Sequence, residues 1–328
     1  MKKLLLVLLS MLVVLALAGC TNANGGDSEG NEGQEDEKVF HIGIIQFAPH
    51  TALDAATEGF KDAVLAAFPD ADIDFKNASG DIATCAPIVD GFVNDGVDLI
   101  MANATPAVQA ASNATGDIPI LGTSVTDYGA GLGIENFNGV TGINVSGTSD
   151  LAPLDQQAKM ILDLFPETKT VGILFCSNEA NSKYQVQVVK ETLEGKGIAV
   201  VEGAFTDSND IAMVVEDLCS QCDALYIPTD NTAATCAETI ANVVLDKKVP
   251  VIAGEEGICK LCGVATLTID YYELGRVTGE MAVKVLKGEA DVASMPIEYF
   301  PDPVKKFNPA ICELFELTVP DDFEAMTD

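Results

Sequence analysis

Phe40-His41-Ile42-Gly43-Ile44-Ile45-Gln46-Phe47 decides the fold, because the chain states its pattern twice. The run is short and almost continuously apolar, as a strand buried in a parallel sheet must be. A helical pattern follows over Thr51 to Phe68, with Leu53, Ala56, Phe60, Val64 and Ala67 near helical spacing. Strand Ile73 to Asn77, a helix near Ala83 to Asn94 and strand Val97 to Ala104 come next. Pro106 opens a further helix, and Pro119 to Leu121 begins another strand. The same grammar restarts after Pro166, with strand Thr170 to Cys176 and helix Ser182 to Glu194. Ile198 to Phe205, Ile211 to Leu218, Ala224 to Ile227, Thr232 to Leu245 and Val249 to Ala253 complete the second series. Gly43-Ile44-Ile45 returns as Gly172-Ile173-Leu174, and Asn77 to Ile82 returns as Thr206 to Ile211, both at an offset of 129 residues. Ile118-Pro119-Ile120 returns as Val249-Pro250-Val251 at 131. Near-constant offsets indicate two similar α/β units. Alternating strands and helices imply parallel sheets covered on both faces. The expected fold class is α/β, with two Rossmann-like lobes and a cleft between them.

Ligands of such sheets bind beyond the carboxyl ends of the strands, so the loops that follow strands carry the functional information. In the first unit these are Gln46 to His50, Asn103 to Pro106 and Gly122 to Asp127; in the second, Ser177 to Ser182, Thr229 to Thr232 and Gly254 to Gly257. No cluster of Arg or Lys occupies them. That argues against phosphate or dicarboxylate ligands, which usually draw bidentate Arg.

The amino terminus carries a second signal. Lys2 and Lys3 precede an apolar run from Leu4 to Leu17, and Leu17-Ala18-Gly19-Cys20 closes it. The run is short of the roughly 20 apolar residues that span a bilayer. Basic start, apolar segment and small residues have the form of a secretory signal. The tetrapeptide resembles the lipobox of bacterial lipoproteins, which implies a signal peptide over 1–19 and a lipid-bearing, palmitate-type anchor on Cys20. Thr21 to Glu37 is acidic and nearly devoid of apolar side chains. It cannot bury enough surface to offset its ordering entropy, so 20–38 reads as a lipidated Cys with a disordered tether. The expected location is outside the cytoplasm, on the bacterial cell membrane.

The remaining residues are enough for one large domain or two ordinary ones. A net charge of −32 disfavours nucleic acid and anionic membrane surfaces as partners of the body. Eight cysteines remain beyond Cys20: Cys85, Cys176, Cys219, Cys222, Cys236, Cys259, Cys262 and Cys312. They suit disulfides outside the cell or free thiols packed as small hydrophobes.

Gly43 to Phe47 with His50, Asn103 to Pro106, Pro228 to Thr232, Gly254 to Gly257 and Ile269 to Gly275 resemble the solute-binding lipoproteins of ABC importers. Within that group they are similar to the family associated with tryptophan, tyrosine and phenylalanine uptake. The resemblance spans nearly all of Val39 to Phe323. It implies a periplasmic-binding-protein type I fold with lobes at 39–150 plus 270–290 and at 151–269 plus 291–328. It also implies reversible capture of an amino acid, an ABC permease and ATPase as partners, a monomer and no cofactor. Cys219, Cys222, Cys259 and Cys262 are not motif positions of that family.

An amino acid zwitterion asks for two opposite environments. Its carboxylate suits hydroxyls and N–H groups at helix N-termini. Thr105, Ser124, Ser177, Asn178 and Ser182 sit at such turns, and Thr123 precedes one. Its ammonium suits a carboxylate, with Asp230 the first choice and Glu255 the second. Asp230 also fits an N-cap. Gln46, Phe47, His50 and Asn231 complete the candidate set, and Phe47, Tyr128 and Tyr184 are candidates for an aromatic wall. Three rival readings follow from the residues. His50 and Cys176 could form a nucleophilic pair across the cleft, although no Gly-x-Ser-x-Gly elbow is present. Cys219-Ser-Gln-Cys222 and Cys259-Lys-Leu-Cys262 have zinc-ligand spacing. A lipid-anchored sensor that feeds a signalling receptor would share the same cleft.

Overall fold

The structure is a computed structural model and describes residues 38–300 and 302–327. The signal segment, Cys20 and the tether lie outside the described residues. From Val39 the chain forms one compact unit. β1 (His41–Gln46) leads into α1 (Thr51–Ala67). β2 (Asp72–Asn77), α2 (Ile82–Asp95), β3 (Leu99–Asn103), α3 (Thr105–Ala114) and β4 (Ile120–Val125) follow. The short α4 (Tyr128–Leu132) and β5 (Val145–Ser149) close the first series. The second begins with α5 (Leu154–Leu164), β6 (Thr170–Cys176), α6 (Ala180–Glu194), β7 (Ala199–Phe205) and α7 (Ile211–Cys219). It continues with β8 (Ala224–Ile227), α8 (Asn231–Thr235), α9 (Ala237–Lys247), β9 (Val251–Ala253), α10 (Glu256–Cys262) and β10 (Ala265–Thr268). Last come α11 (Tyr271–Leu286), β11 (Glu298–Tyr299), β12 (Val304–Phe307), α12 (Pro309–Leu314) and β13 (Glu324–Ala325).

The strands make two sheets, ordered β11-β5-β4-β3-β1-β2 and β13-β12-β10-β9-β8-β6-β7. Counted from its last-named edge, each runs from the second strand of its series to the first, third, fourth and fifth. The internal repeat in the sequence is therefore a repeat of topology. Pairing is parallel throughout except between β10 and β12. β1 shows why the run that opens the fold is apolar on both sides. Ile42 and Ile44 pack into a cluster with Phe60, Val64 and Met281, while Ile45 joins Phe92, Ile100 and Val108 on the other face. Burial on both faces is the condition of a parallel sheet between helices.

α11 returns the chain to the first sheet and lies directly against α1. Gly59 and Gly275 make the contact possible. A Cβ on Gly275 would stand 1.9 Å from the Ala56 carbonyl oxygen, and one on Gly59 would stand 2.0 Å from that of Tyr272. The chain then stays with the first sheet beyond the expected limit at residue 290. Ile297 enters the first core, and β11 pairs with β5. Only at β12 does it rejoin the second sheet. The helix expected over Thr232 to Leu245 is broken at Cys236, whose φ of −103° and ψ of 13° leave the helical range.

Candidate functional site

Each lobe turns the carboxyl ends of its strands toward the other. Between them lies a narrow chamber of only ≈ 10 Å³, about the room of one water, walled by His50, Ser124, Thr126, Asp150, Asn181, Thr229, Asp230, Asn231, Glu255 and Tyr271. Four buried polar atoms on this wall have no hydrogen-bond partner in the protein: His50 Nδ1, Ser124 Oγ, Asp150 Oδ1 and Asn181 Oδ1. Buried polar atoms are nearly always paired, so four on one small wall mark a place built for an outside partner.

Their local structure explains why they point inward. Ser124 sits where the β4–β5 register shifts, with φ at 54°. A bulge re-aims a side chain, and the left-handed conformation of a serine is strain of the kind that collects at binding sites. Ala104, beside the start of α3, is held at φ 86° and ψ 156°. The next residue, Thr105, also has a buried hydroxyl without a partner. β3 and β4 end side by side, with Ala104 N donating to Thr123 O at 3.0 Å. Asn181 is fixed through its amide nitrogen, which donates to Thr229 O at 2.9 Å and Glu179 Oε2 at 3.2 Å. Its oxygen is thereby left free. Asn231 Nδ2 donates to Glu179 Oε2 at 2.6 Å, so its Oδ1 must accept at 3.2 Å from His50 Nε2 across the cleft. With the proton on Nε2, the free Nδ1 of a neutral His50 is an acceptor. The wall thus offers three acceptors and a hydroxyl.

Charge on the wall is acidic, with no Lys or Arg. Burial pushes the Asp150 carboxyl up to about 6, against the opposing pull of the Tyr271 and Thr126 hydroxyls, while Glu255 adds to the rise. Tyr271 Oη donates to Asp150 Oδ2 at 2.9 Å. Glu255 is raised by burial, with His50 opposing. Burial raises Asp230 as well, with Glu179 adding to it.

Of the residues expected from sequence, His50, Ser124, Asp230, Asn231 and Glu255 share the wall. Asp230 is there in a capping role. Its Oδ1 accepts from Ala233 N at 2.8 Å, and its Oδ2 accepts from Cys176 N and Ser182 Oγ at 2.6 and 2.7 Å. Glu255 likewise spends both oxygens on the N–H groups of Gly257 and Ile258. Phe47 and Asn178 line a second cavity of ≈ 490 Å³ in the same cleft, with Ile82, Cys176 and Cys236. Gln46, Thr123, Ser177 and Ser182 hold loops instead. Gln46 is tied to Ala48, Asp54 and Thr57; Thr123 meets Thr148; Ser177 bonds Phe205 O. Tyr128 is a core residue whose hydroxyl donates to Thr148 O, and Tyr184 packs on the second core. Asp150 and Tyr271 were missed, because they belong to the segments that cross between the lobes. Thr126, Asn181 and Thr229 lie in the loops singled out from sequence but were not chosen within them.

The eight cysteines from Cys85 to Cys312 are free thiols. Burial pushes them upward, Cys222 to about 12 and Cys176 to about 11, so they pack as neutral side chains. Cys176 is not on the wall with His50. Among the described residues, no group of His, Cys, Asp and Glu is arranged to hold a metal, and no helix is long and apolar enough to cross a membrane.

Residues 41–327 match the family described as ABC transporter substrate binding protein. This chain belongs to that family. A tyrosine-binding protein of Clostridioides difficile (strain R20291) is 37% identical over 303 residues, which cover 90% of this chain and 87% of the relative. Among solved structures, a Streptococcus pneumoniae ABC domain in complex with L-Trp superimposes with a TM-score of 0.83 at 33% identity, covering 87% of this chain and 97% of that one. The ligand-free, open structure of a Clostridium difficile substrate-binding protein with adhesive properties gives a TM-score of 0.66 at 38% identity, covering 88% and 99%. The better fit is to the complex although the identity is lower. In this substrate-binding protein the two lobes touch across the cleft through the His50–Asn231 and Thr126–Thr229 contacts. It is a binding protein, not an enzyme, and proteins of its family work outside the cytoplasm. A myo-inositol-binding structure at 18% identity and a TM-score of 0.64 shares the type I periplasmic-binding-protein fold.

Proposed function

We propose that this protein captures an aromatic L-amino acid between its lobes and delivers it to an ABC importer, held near the membrane by a lipid on Cys20. The observation that carries the reading is the set of partnerless atoms on the chamber wall. An ammonium carries three N–H donors, and Asp150 Oδ1, Asn181 Oδ1 and His50 Nδ1 are three candidate acceptors in an acidic setting without Lys or Arg. Asp150 supplies the counter-charge, the role expected of Asp230. The carboxylate is received by Ser124 Oγ and Thr105 Oγ1 at the start of α3, where the helix dipole is positive. The side chain runs away from the crossover segments toward the ≈ 490 Å³ cavity beside Phe47 and Ile82.

The aromatic class is supported by the tyrosine-binding relative and by the L-Trp complex. Atoms from both lobes meet the ligand only when the cleft is shut, so binding favours closure by the differential contacts that closure creates. Calorimetric titration against the twenty amino acids tests the reading. Saturable binding of tyrosine, tryptophan or phenylalanine is expected, and failure of all three overturns it.

A further inference from the structure

We propose that Tyr271 is a positioning residue that orients the Asp150 carboxylate for the ligand ammonium and couples ligand capture to the hinge. The inference rests on the amino-acid reading above. Asp150 follows β5, at the first crossing between the lobes; Tyr271 opens α11, just after the second. Both side chains are buried, and both face the chamber. The Tyr271 hydroxyl donates to Asp150 Oδ2 at 2.9 Å, which leaves Oδ1 as the free oxygen. The Tyr271 ring is itself anchored, because it packs with Ile269 and Leu274 against Ala52 and Ala56 of α1. The hydroxyl thus ties the ligand's counter-charge to the α1–α11 pair across two hinge strands.

Packing alone does not require that hydroxyl, since a phenylalanine ring has the same shape. Its surroundings show what it does. The titratable groups facing Asp150 are Tyr271, Tyr128, Glu255, His50 and Asp230. None is a lysine or arginine, and burial opposes the charge on Asp150. Burial also keeps the Tyr271 phenol protonated, its pKa lying well above the ordinary value. Tyr271 is the first of the groups that favour the carboxylate form, ahead of the nearby Thr126 hydroxyl and the backbone N–H of Asp150 itself. Without it Asp150 takes up a proton at higher pH, and a protonated Asp150 cannot pair with an ammonium.

The test is Tyr271→Phe in the whole protein, titrated calorimetrically with L-tyrosine, L-tryptophan and L-phenylalanine from pH 5 to 8.5. A hydrogen bond to a charged group sets the scale. On that scale affinity at pH 7 falls about ten-fold, and the midpoint of the acid-side loss rises by about one pH unit. The ammonium-free analogue 3-phenylpropionate shows neither change. An unchanged affinity and pH profile in Tyr271→Phe, with the parent protein binding normally, overturns the inference. A parent protein that binds none of the three amino acids fails the functional reading instead. If Tyr271→Phe does not fold, Tyr271→Met serves in its place with the same readouts. An affinity about ten-fold weaker and a raised midpoint for the amino acids, with 3-phenylpropionate unchanged, support the inference, and an affinity and pH profile equal to the parent's overturn it.

Discussion

Replacing Asp150 by Asn should move stability and affinity in opposite directions. Asp150 is fully buried, and its carboxyl stands at about 6 against an ordinary 3.8. A raised folded-state pKa means that the charged form is disfavoured by folding. The contribution of this group is complete below pH 3.8 and is lost as pH rises through about 6. Two pKa units correspond to about 3 kcal/mol at neutral pH. Asp150→Asn removes the charge and keeps the shape, so the ligand-free variant should gain up to about that much stability at pH 7.5, and less at pH 5. Binding should suffer the reverse. Loss of a buried, charged partner costs roughly 2–5 kcal/mol, about 30-fold to a few thousand-fold in affinity. Urea unfolding without ligand and calorimetry with L-tyrosine and L-tryptophan measure the two effects. A variant less stable than the parent, or one whose affinity stays within three-fold, would refute the reasoning.

Asp230 should behave differently, because its oxygens serve the backbone. Asp230→Ala removes the α8 cap and strands the Cys176 N–H, so stability should fall by about 1–3 kcal/mol in urea unfolding. Intact stability with a hundred-fold loss of affinity would instead return Asp230 to the ammonium. Gly275→Ala should destabilise by about 3 kcal/mol through forced separation of α1 and α11, read as a lowered thermal midpoint. An unchanged midpoint would show that the helices do not touch as described.

The architecture was legible because parallel sheets impose it on sequence. β1 had to be apolar on both faces, and near-constant offsets exposed the second copy of the unit. The return of the chain was harder to place. Glu298 and Tyr299 are exposed, so no apolar pattern announces that they extend the first sheet. At the site, sequence identified the loops but not the atoms. Asp230 and Glu255 each have the form of both a ligand group and a cap, and only hydrogen-bond geometry reveals that their oxygens are spent. Asp150 lies far in sequence from Tyr271 and carries no motif. Its importance comes from the crossing of two hinge strands, which a linear reading does not bring together. Tyr128 shows the converse, an aromatic in a cleft loop that turns inward to the core.

The most direct test of the account is calorimetric titration of the purified protein with L-tyrosine, L-tryptophan and L-phenylalanine, beside the matching arylpropionates and myo-inositol. The account predicts saturable one-to-one binding of at least one aromatic amino acid. It also predicts a negative heat-capacity change from apolar burial and a large loss of affinity when the α-ammonium is missing. Equal binding of the arylpropionates, or binding of the polyol in place of all three amino acids, would contradict it.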